Sequence, residues 1–407
     1  MATIRDVAKE AGVSIATVSR ALNGNTHLAG ATRQKVLAAA DKLGYQKDRL
    51  AAAMRTGRTG AIGLVLGDVM NPFYAMLAHC VERAVHSHQA SLVLSNAHED
   101  GQSYENGIQA LVKQGVDGLL VVPPSRVAPG WKHPDPPESV AMVALDREAP
   151  GAKIPSVVID SARAMQDLGE HLRASGYRHP AYLAGPEFSL SGQRRTEKLQ
   201  EALANCGFGE LEVEYCPHEA VSAASAARAL LSLYRPDIII CASNQIALGV
   251  LMIAKSMGMQ LGSDLGLVAI DDIPWFSVMS PAISVIDQPV DKLANLGVTV
   301  LMKQIFGASY LPKAGDRLVA GEGVFISRES TQGPQLSAQY AGRWLPESGS
   351  GRLLLGSFTS SSHSKISFCF FSGWPKTPKN PATSLDQFYW TSSRQPSSRI
   401  IMRTGLL

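Results

Sequence analysis

Two groups of residues in this chain have the types and spacing to do chemistry. The first is Ser14-Ile15-Ala16-Thr17 with Ser19 and Arg20, small, hydroxylated and cationic side chains at the start of a helical stretch. Isoleucine and alanine suit thymine methyl groups, an arginine can fork onto a guanine edge, and hydroxyls reach phosphate oxygens. The second group recurs at the ends of apolar runs. It comprises Asp68 with Asn71-Pro72-Phe73-Tyr74, Asp146-Arg147, Gln193-Arg194-Arg195, Ser243-Asn244-Gln245, and Asp271-Asp272 with Trp275-Phe276. Carboxylates, arginines, amides and aromatic faces that converge on a cleft suit a polyol such as a sugar. Each member also has a plainer reading: Asp146 or Asp271 as a helix cap, Phe73 or Trp275 as core. Recurrence of the set at successive strand ends is what carries the binding reading.

The first group needs a particular frame. Thr3 can cap a helix, with Asp6 reaching back in a capping box, and Val7, Ala8 and Ala11 form its apolar face. Gly12 breaks the helix, Val13 plugs the turn, and Ser14 caps a second helix that runs to Asn23-Gly24. So short a turn makes the helices cross steeply, as in a helix-turn-helix, whose second helix enters the DNA major groove by its N-terminal residues. Val18 and Leu22 fall on the opposite face as core. An ordinary helical hairpin shares this pattern. What argues for the DNA-binding unit is a third helix from about Ala31 to Leu43, with Val36, Leu37, Ala40 and Leu43 inward and Gly44 as its stop.

Charge is segregated along the 407 residues. Residues 1–60 carry ten Lys/Arg against four Asp/Glu, residues 61–332 carry 20 against 29, and residues 333–407 carry eight against two. A basic head on an acidic body concentrates phosphate attraction at the head and repels the body from the duplex. The length allows two or three domains, and 45% apolar residues allow large cores. No apolar run is long enough to span a membrane, and the first residues read as capped helix rather than a signal peptide. Five scattered cysteines fit free thiols in a reducing cytoplasm.

The link, residues 47–60 (KDRLAAAMRTGRTG), contains good helix formers but is too short to be a stable helix alone. Arg49, Arg55 and Arg58 are placed to meet phosphates, and Leu50 or Met54 to wedge into a base step of the minor groove. A plain flexible linker is the equal alternative. From Ala61, apolar runs alternate with helical-period stretches: 62–66 then 74–88, 91–95 then 101–115, 118–122, 140–145, 156–159 then 161–175, 181–184 then 193–206, 237–241 then 245–257, 265–270, 283–286, and a helix over 290–306. Continuous apolar strands between amphipathic helices mean parallel sheets covered on both faces, and the number of units calls for two doubly wound lobes. Ligands in such folds bind beyond the carboxyl ends of the strands.

On TIRDVAKEAGVSIATVSRALN, and on TRQKVLAAADKLGY, VMNPFYAMLAHCVERA, LVKQGVDGLLVV, HLRASGYRHPAYLAGP, NQIALGVL, LGLVAIDDIPWFSVMSPAISVIDQPV and FISRES, the chain resembles the LacI/GalR family of bacterial transcriptional regulators over roughly residues 2–331. The resemblance implies an all-α helix-turn-helix domain (1–46), a hinge (47–60), and a periplasmic-binding-protein-like α/β body (61–331). That body has two lobes, with the chain crossing between them near 161, 288 and 320. It further implies a cytoplasmic, nucleoid-associated repressor acting as a homodimer, sometimes a tetramer. Operator DNA and a small effector (a sugar, sugar acid or sugar phosphate) are the implied partners, with no cofactor and no catalysis. By position, Thr3, Ser14, Thr17, Ser19, Asn23, His27 and Thr32 lie at or near phosphates, and Ile15, Ala16 and Arg20 read bases. Residues 49–56, with Arg49, become a hinge helix that folds on DNA, and Met54 stands where the family usually has an intercalating leucine. Arg195 and Asp271 match the main effector-holding positions, with Asp146, Asn244, Phe73 and Trp275 as further contacts.

Three departures bear on this. The usual Asn-Asp is Ser243-Asn244, the usual Gly-His is Gly176-Tyr177, and the usual Pro-Asn before the hinge is Lys47-Asp48. Residues 332–407, rich in Ser, Pro and Arg, show no sustained period and read as an atypical, disordered tail. A transport-type sugar-binding protein would share the lobes but lack residues 1–60. An enzyme is disfavoured: there is no G-x-G-x-x-G after the first strand, no Walker A loop, no G-x-S-x-G and no zinc-spaced Cys/His set. His79, His86 and His88 lack the i,i+4 spacing of a metal pair and read as solvated or core residues.

Overall fold

The computed structural model describes residues 2–22, 28–45, 57–125, 127, 130–137, 140–149, 151–187, 189–307, 311–333, 354–359 and 365–370. The head consists of α1 (Ile4–Ala11), α2 (Ile15–Leu22) and α3 (Gly30–Lys42). The capping box forms: Thr3 Oγ1 accepts from the Asp6 backbone N–H, and the Thr3 N–H donates to the Asp6 carboxylate at 2.8 Å. Gly12 takes φ +65°, a conformation that costs a side-chain-bearing residue about 1 kcal/mol or more, and so ends α1. Ser14 Oγ accepts from the Thr17 N–H at 3.1 Å and starts α2. Val7, Ala8, Val18, Ala21, Val36, Ala39 and Ala40 close the small core, with Leu22 and Leu43 packed against it. Leu37 departs from the expected inward set. It is 41% exposed, because the buried face of α3 runs through 36, 39 and 40, and residue 37 lies about 100° away from 36.

The body is built from β1 (Ala61–Leu66), α4 (Pro72–Ser87), β2 (Ser91–Asn96), α5 (Gly101–Lys113), β3 (Gly118–Val121), β4 (Ala141–Leu145), β5 (Ser156–Asp160), α6 (Ala162–Ala174), β6 (Pro180–Ala184), α7 (Leu190–Asn205), β7 (Glu212–Tyr215), α8 (Ala220–Tyr234), β8 (Ile238–Cys241), α9 (Asn244–Ser256), β9 (Gly266–Ile270), α10 (Pro274–Val278), β10 (Ser284–Asp287), α11 (Val290–Phe306), β11 (Arg317–Glu322) and β12 (Val324–Ile326). The strands form two six-stranded sheets, ordered β11-β5-β4-β3-β1-β2 and β12-β10-β9-β8-β6-β7. Every pairing is parallel except β12 with β10. Each lobe is doubly wound, and its strand order reverses at its first strand, β1 or β6, which is where such folds open a crevice.

In the first lobe, Leu64 and Leu66 of β1 pack with Leu77 and Val81 of α4 and Leu293 and Leu301 of α11, while Tyr104 and Ile108 of α5 cover Val65 and Leu119 on the other face. Burial on both faces is why these strands read as unbroken apolar runs. The chain passes between lobes three times: at Ser161 between β5 and α6, at Gln288 between β10 and α11, and at Gly323 between β11 and β12. Five elements of the body have no counterpart among the sequence-derived segments: β7, α8, α10, β11 and β12. Glu212–Tyr215 is a charged edge strand, α8 is alanine- and serine-rich with a weak apolar stripe, and β11 and β12 are cut short by Gly321 and Gly323 at the crossing. α7 begins three residues ahead of the expected start, because Ser189 caps it by accepting from the Gly192 N–H. His79, His86 and His88 are all exposed on or just after α4.

Residues 338–407 form a separate unit, in which β13 (Leu354–Thr359) pairs antiparallel with β14 (Lys365–Phe370). The expectation of no regular structure there is corrected for these twelve positions. KISFCF does alternate apolar and small or polar residues with strand period.

Candidate ligand cleft and nucleic-acid interface

The carboxyl ends of the two sheets face each other, and their loops supply the cleft. After β1, Asn71 caps α4: its Oδ1 accepts from the Phe73 N–H at 3.1 Å. The same oxygen accepts from Asn244 Nδ2 of the other lobe at 3.0 Å, so one amide both starts a helix and joins the lobes. Asn244 Nδ2 also reaches an oxygen of Asp271 at 3.4 Å, and Gln288 Nε2 donates to the other oxygen of Asp271. Asn244 Oδ1 is buried with no partner. A buried acceptor left unmade costs about 1–3 kcal/mol, and it awaits a donor. Arg195, from the second turn of α7, donates to the Ala242 carbonyl at 3.2 Å.

Behind this layer lies an ion pair that holds the first lobe's loops. Arg147 NH1 and NH2 fork onto Glu99 at 2.7 and 3.0 Å, and the Ser125 N–H and hydroxyl donate to the same carboxylate at 2.7 and 2.8 Å. The Arg147 guanidinium also sits 5.6 Å from the Tyr74 ring centre. Burial pushes the Glu99 carboxyl up, but Arg147 outweighs it and holds the group at about 2. His218, after β7, shares a hydrogen bond with Ser243 Oγ at 3.0 Å. Burial, helped by the positive charge of Arg147, drives His218 down to about 3, so its imidazole is neutral. Asp271 goes the other way: burial pushes it up to about 6 against the pull of Arg195 and Gln288. Burial also raises Asp146. Glu99, Asp146 and Asp271 all have left-handed backbones, at φ +56°, +65° and +76°. Such strain costs of order 1–3 kcal/mol per residue and persists where packing fixes a side chain for function.

The inner space is small, about 40 Å³, and is lined by Phe73, Asp146, Arg195 and Asp271 among the expected residues, together with Tyr74, Arg147, His218 and Gln288. Asn244 joins through its hydrogen bonds. Trp275 does not: it is 51% exposed, because in the short helix α10 the neighbouring Phe276 takes the core position. Sequence reasoning missed Glu99, His218 and Gln288. Glu99 and Gln288 follow β2 and β10, so the strand-end rule would have found them. His218 was hidden because its strand, β7, was not recognised.

On the head, Thr3, Ser14, Ile15, Ala16 and Arg20 are exposed, while Thr17, Ser19 and Thr32 are half-buried. The Ser14 and Thr17 hydroxyls lie 2.8 Å apart at the start of α2, where unpaired backbone N–H groups favour a phosphate. Asn23, His27, Arg49 and Met54 lie outside the described residues. Among the described residues no cluster of His, Cys, Asp or Glu is arranged to hold a metal, and no helix is long and apolar enough to cross a membrane.

Comparison with known proteins gives two family matches: "bacterial regulatory proteins, lacI family" over residues 3–48, and "periplasmic binding proteins and sugar binding domain of LacI family" over residues 59–291. The chain is 33% identical to the transcriptional regulator PtxS of Pseudomonas plecoglossicida, over 76% of this chain and 91% of that one. It is 31% identical to the ribose operon repressor of Halalkalibacterium halodurans, over 75% and 91%. Among solved structures, the cellobiose complex of the transcriptional regulator CelR is similar with a TM-score of 0.57 and 26% identity, covering 81% of this chain and all of that one. The operator-bound lac repressor dimer shares the fold with a TM-score of 0.65 at 24% identity, over 81% and 99%. With both its head and the greater part of its body matched, this chain belongs to the LacI family of bacterial regulatory proteins.

Proposed function

We propose that the protein is a cytoplasmic transcriptional repressor whose affinity for operator DNA is set by a small sugar-like effector held between the two lobes. The observation that carries this is a cleft of convergent polar groups, with the unpartnered Asn244 Oδ1 among them, behind a basic head whose recognition helix exposes Ser14, Ile15, Ala16 and Arg20. The names of the relatives, a ribose operon repressor and a cellobiose-bound regulator, agree with a sugar as ligand. Residues 1–46 bind DNA, 47–60 are the hinge and 61–331 hold the effector. Ile15, Ala16 and Arg20 read bases. Thr3, Ser14, Thr17, Ser19, Asn23, His27, Thr32 and Arg49 sit at phosphates, and Met54 wedges into the minor groove. Phe73, Asp146, Arg195, Asn244 and Asp271 hold the effector.

The working unit is a homodimer. Exposed apolar side chains on the second lobe, Val221, Leu248, Met252, Trp275 and Val278, and on the first, Met70 and Met76, give each lobe a surface for a second copy. Trp275 then acts in subunit contact rather than in the cleft. Effector binding changes the set of the lobes and so the spacing of the two hinges across the dimer. A coupling of about 1–3 kcal/mol is enough to change operator affinity several-fold to a hundredfold.

The test is a mobility-shift titration on promoter fragments with and without sugars. Wild-type protein is expected to bind one fragment selectively and to respond to one ligand. Arg195→Ala loses that response. Arg20→Ala weakens operator binding by about 1–3 kcal/mol and relaxes discrimination at one base pair. Undiminished discrimination by Arg20→Ala, or an unaltered response in Arg195→Ala, overturns the corresponding assignment.

A further inference from the structure

The inner cleft opens past Arg195 into a second, larger chamber of about 290 Å³. The two share Asp146, Ser191 and Arg195 as walls and so adjoin one another. Their charges differ. The inner chamber sets Asp146 and Asp271 against Arg147 and Arg195, with Glu99 behind Arg147, a balance that suits uncharged hydroxyls. The outer chamber is lined by Arg194, Arg195, Lys198 and Arg317 against Asp146 and Glu148. Its carboxylates are oversubscribed. Glu148 accepts from both Arg194 and Arg317, the latter at 3.0 Å, and only Lys198 has a carboxylate to itself, Asp160 at 2.7 Å. Ser191 belongs to the first turn of α7, which carries no acidic residue, and Arg194 and Arg195 follow in the second, so the positive end of the helix dipole lies beside the same field.

We propose that this outer chamber is the anion-binding extension of the cleft. The effector is then an acidic sugar, a polyol carrying a carboxylate or phosphate, with its hydroxyls in the inner chamber and its anionic group among Arg194, Lys198 and Arg317. This rests on reading the cleft as the effector site. It deepens that reading, because the inner chamber alone does not distinguish a neutral sugar from an acidic one. The three cations come from both lobes, Arg194 and Lys198 from α7 and Arg317 from β11. An anion that takes Arg317 and Arg194 away from Glu148 therefore replaces an interlobe ion pair with a ligand-mediated one, and binding reports directly on lobe closure.

Calorimetric titration of the full chain with matched sets (parent aldoses, the corresponding aldonates, and the corresponding hexose phosphates) tests it. The expected result is an aldonate or a phosphate binding about tenfold or more tightly than its parent aldose, with that preference reduced about tenfold by Lys198→Gln with Arg317→Gln. The aldonate and phosphate arms tell carboxylate from phosphate. A neutral aldose that binds as tightly as its acids, with binding lost in Arg195→Ala, overturns the acidic assignment and leaves the effector cleft standing. Acid binding that survives Arg195→Ala overturns the cleft reading itself. Absence of binding across all three sets, or an unchanged preference in the double variant, counts against the outer chamber.

Discussion

Asp271 gives the sharpest quantitative test of the cleft. Its carboxyl is 8% exposed and titrates near 6 instead of the ordinary 3.8, a rise of about two units. At 1.36 kcal/mol per unit, the charged form costs the folded state about 3 kcal/mol relative to the unfolded chain. Because the folded pKa is raised, this contribution favours folding fully below pH 3.8 and is lost as pH rises through 6. Asp271→Asn removes the ionisation while keeping an acceptor for Gln288. The oxygen it replaces meets only the long 3.4 Å contact from Asn244 Nδ2, so little hydrogen bonding is lost there, and asparagine tolerates the left-handed backbone at φ +76°. The variant is therefore expected to be more stable than wild type by about 3 kcal/mol at pH 8, and to differ little at pH 4. Urea melts of the ligand-free protein at both pH values, followed by circular dichroism, read the difference directly. The cost of this gain is expected to be loss of effector binding, as is usual where function needs a destabilised site. A variant equally stable, or less stable, at pH 8 would show that Asp271 is not held against its burial, and the argument fails.

Three further outcomes follow from named contacts. Glu99→Ala leaves the Arg147 guanidinium, 11% exposed, without its partner, and is expected to cost about 3–5 kcal/mol in a denaturant melt. His218 is neutral in the folded state with its pKa depressed to about 3. Its contribution is thus complete above pH 6.5 and lost as pH falls toward 3, and His218→Gln should flatten the acid limb of the stability profile by up to about 1.4 kcal/mol per pH unit. Thr3→Ala removes half of the capping box on α1 and should lower the stability of the head by about 1 kcal/mol, seen as a downward shift in its thermal transition.

Much of the architecture was legible because the physics is local. A capping box, a left-handed glycine and a serine cap fix α1, the turn and α2 within residues 3–17, and doubly buried strands leave continuous apolar runs such as IGLVL and DIIIC. The exceptions have physical causes. Leu37 sits one helical step from the buried face, Phe276 rather than Trp275 takes the core position, and the edge strand Glu212–Tyr215 has too little burial to show a pattern. The cleft was legible as residue types at strand ends but not as an arrangement.

By itself, then, the amino-acid order determined most of the helices and strands, that the parallel strands divide into two lobes, and that a basic head precedes an acidic body. Those properties depend on neighbours a few positions apart and on summed charge. Only the tertiary structure decided that Asn71 meets Asn244 across 173 positions, that Glu99 is the partner of Arg147, and that Arg194 and Arg317 share Glu148. Such pairings arise where loops from distant strands converge, and no local periodicity encodes which loops will face one another.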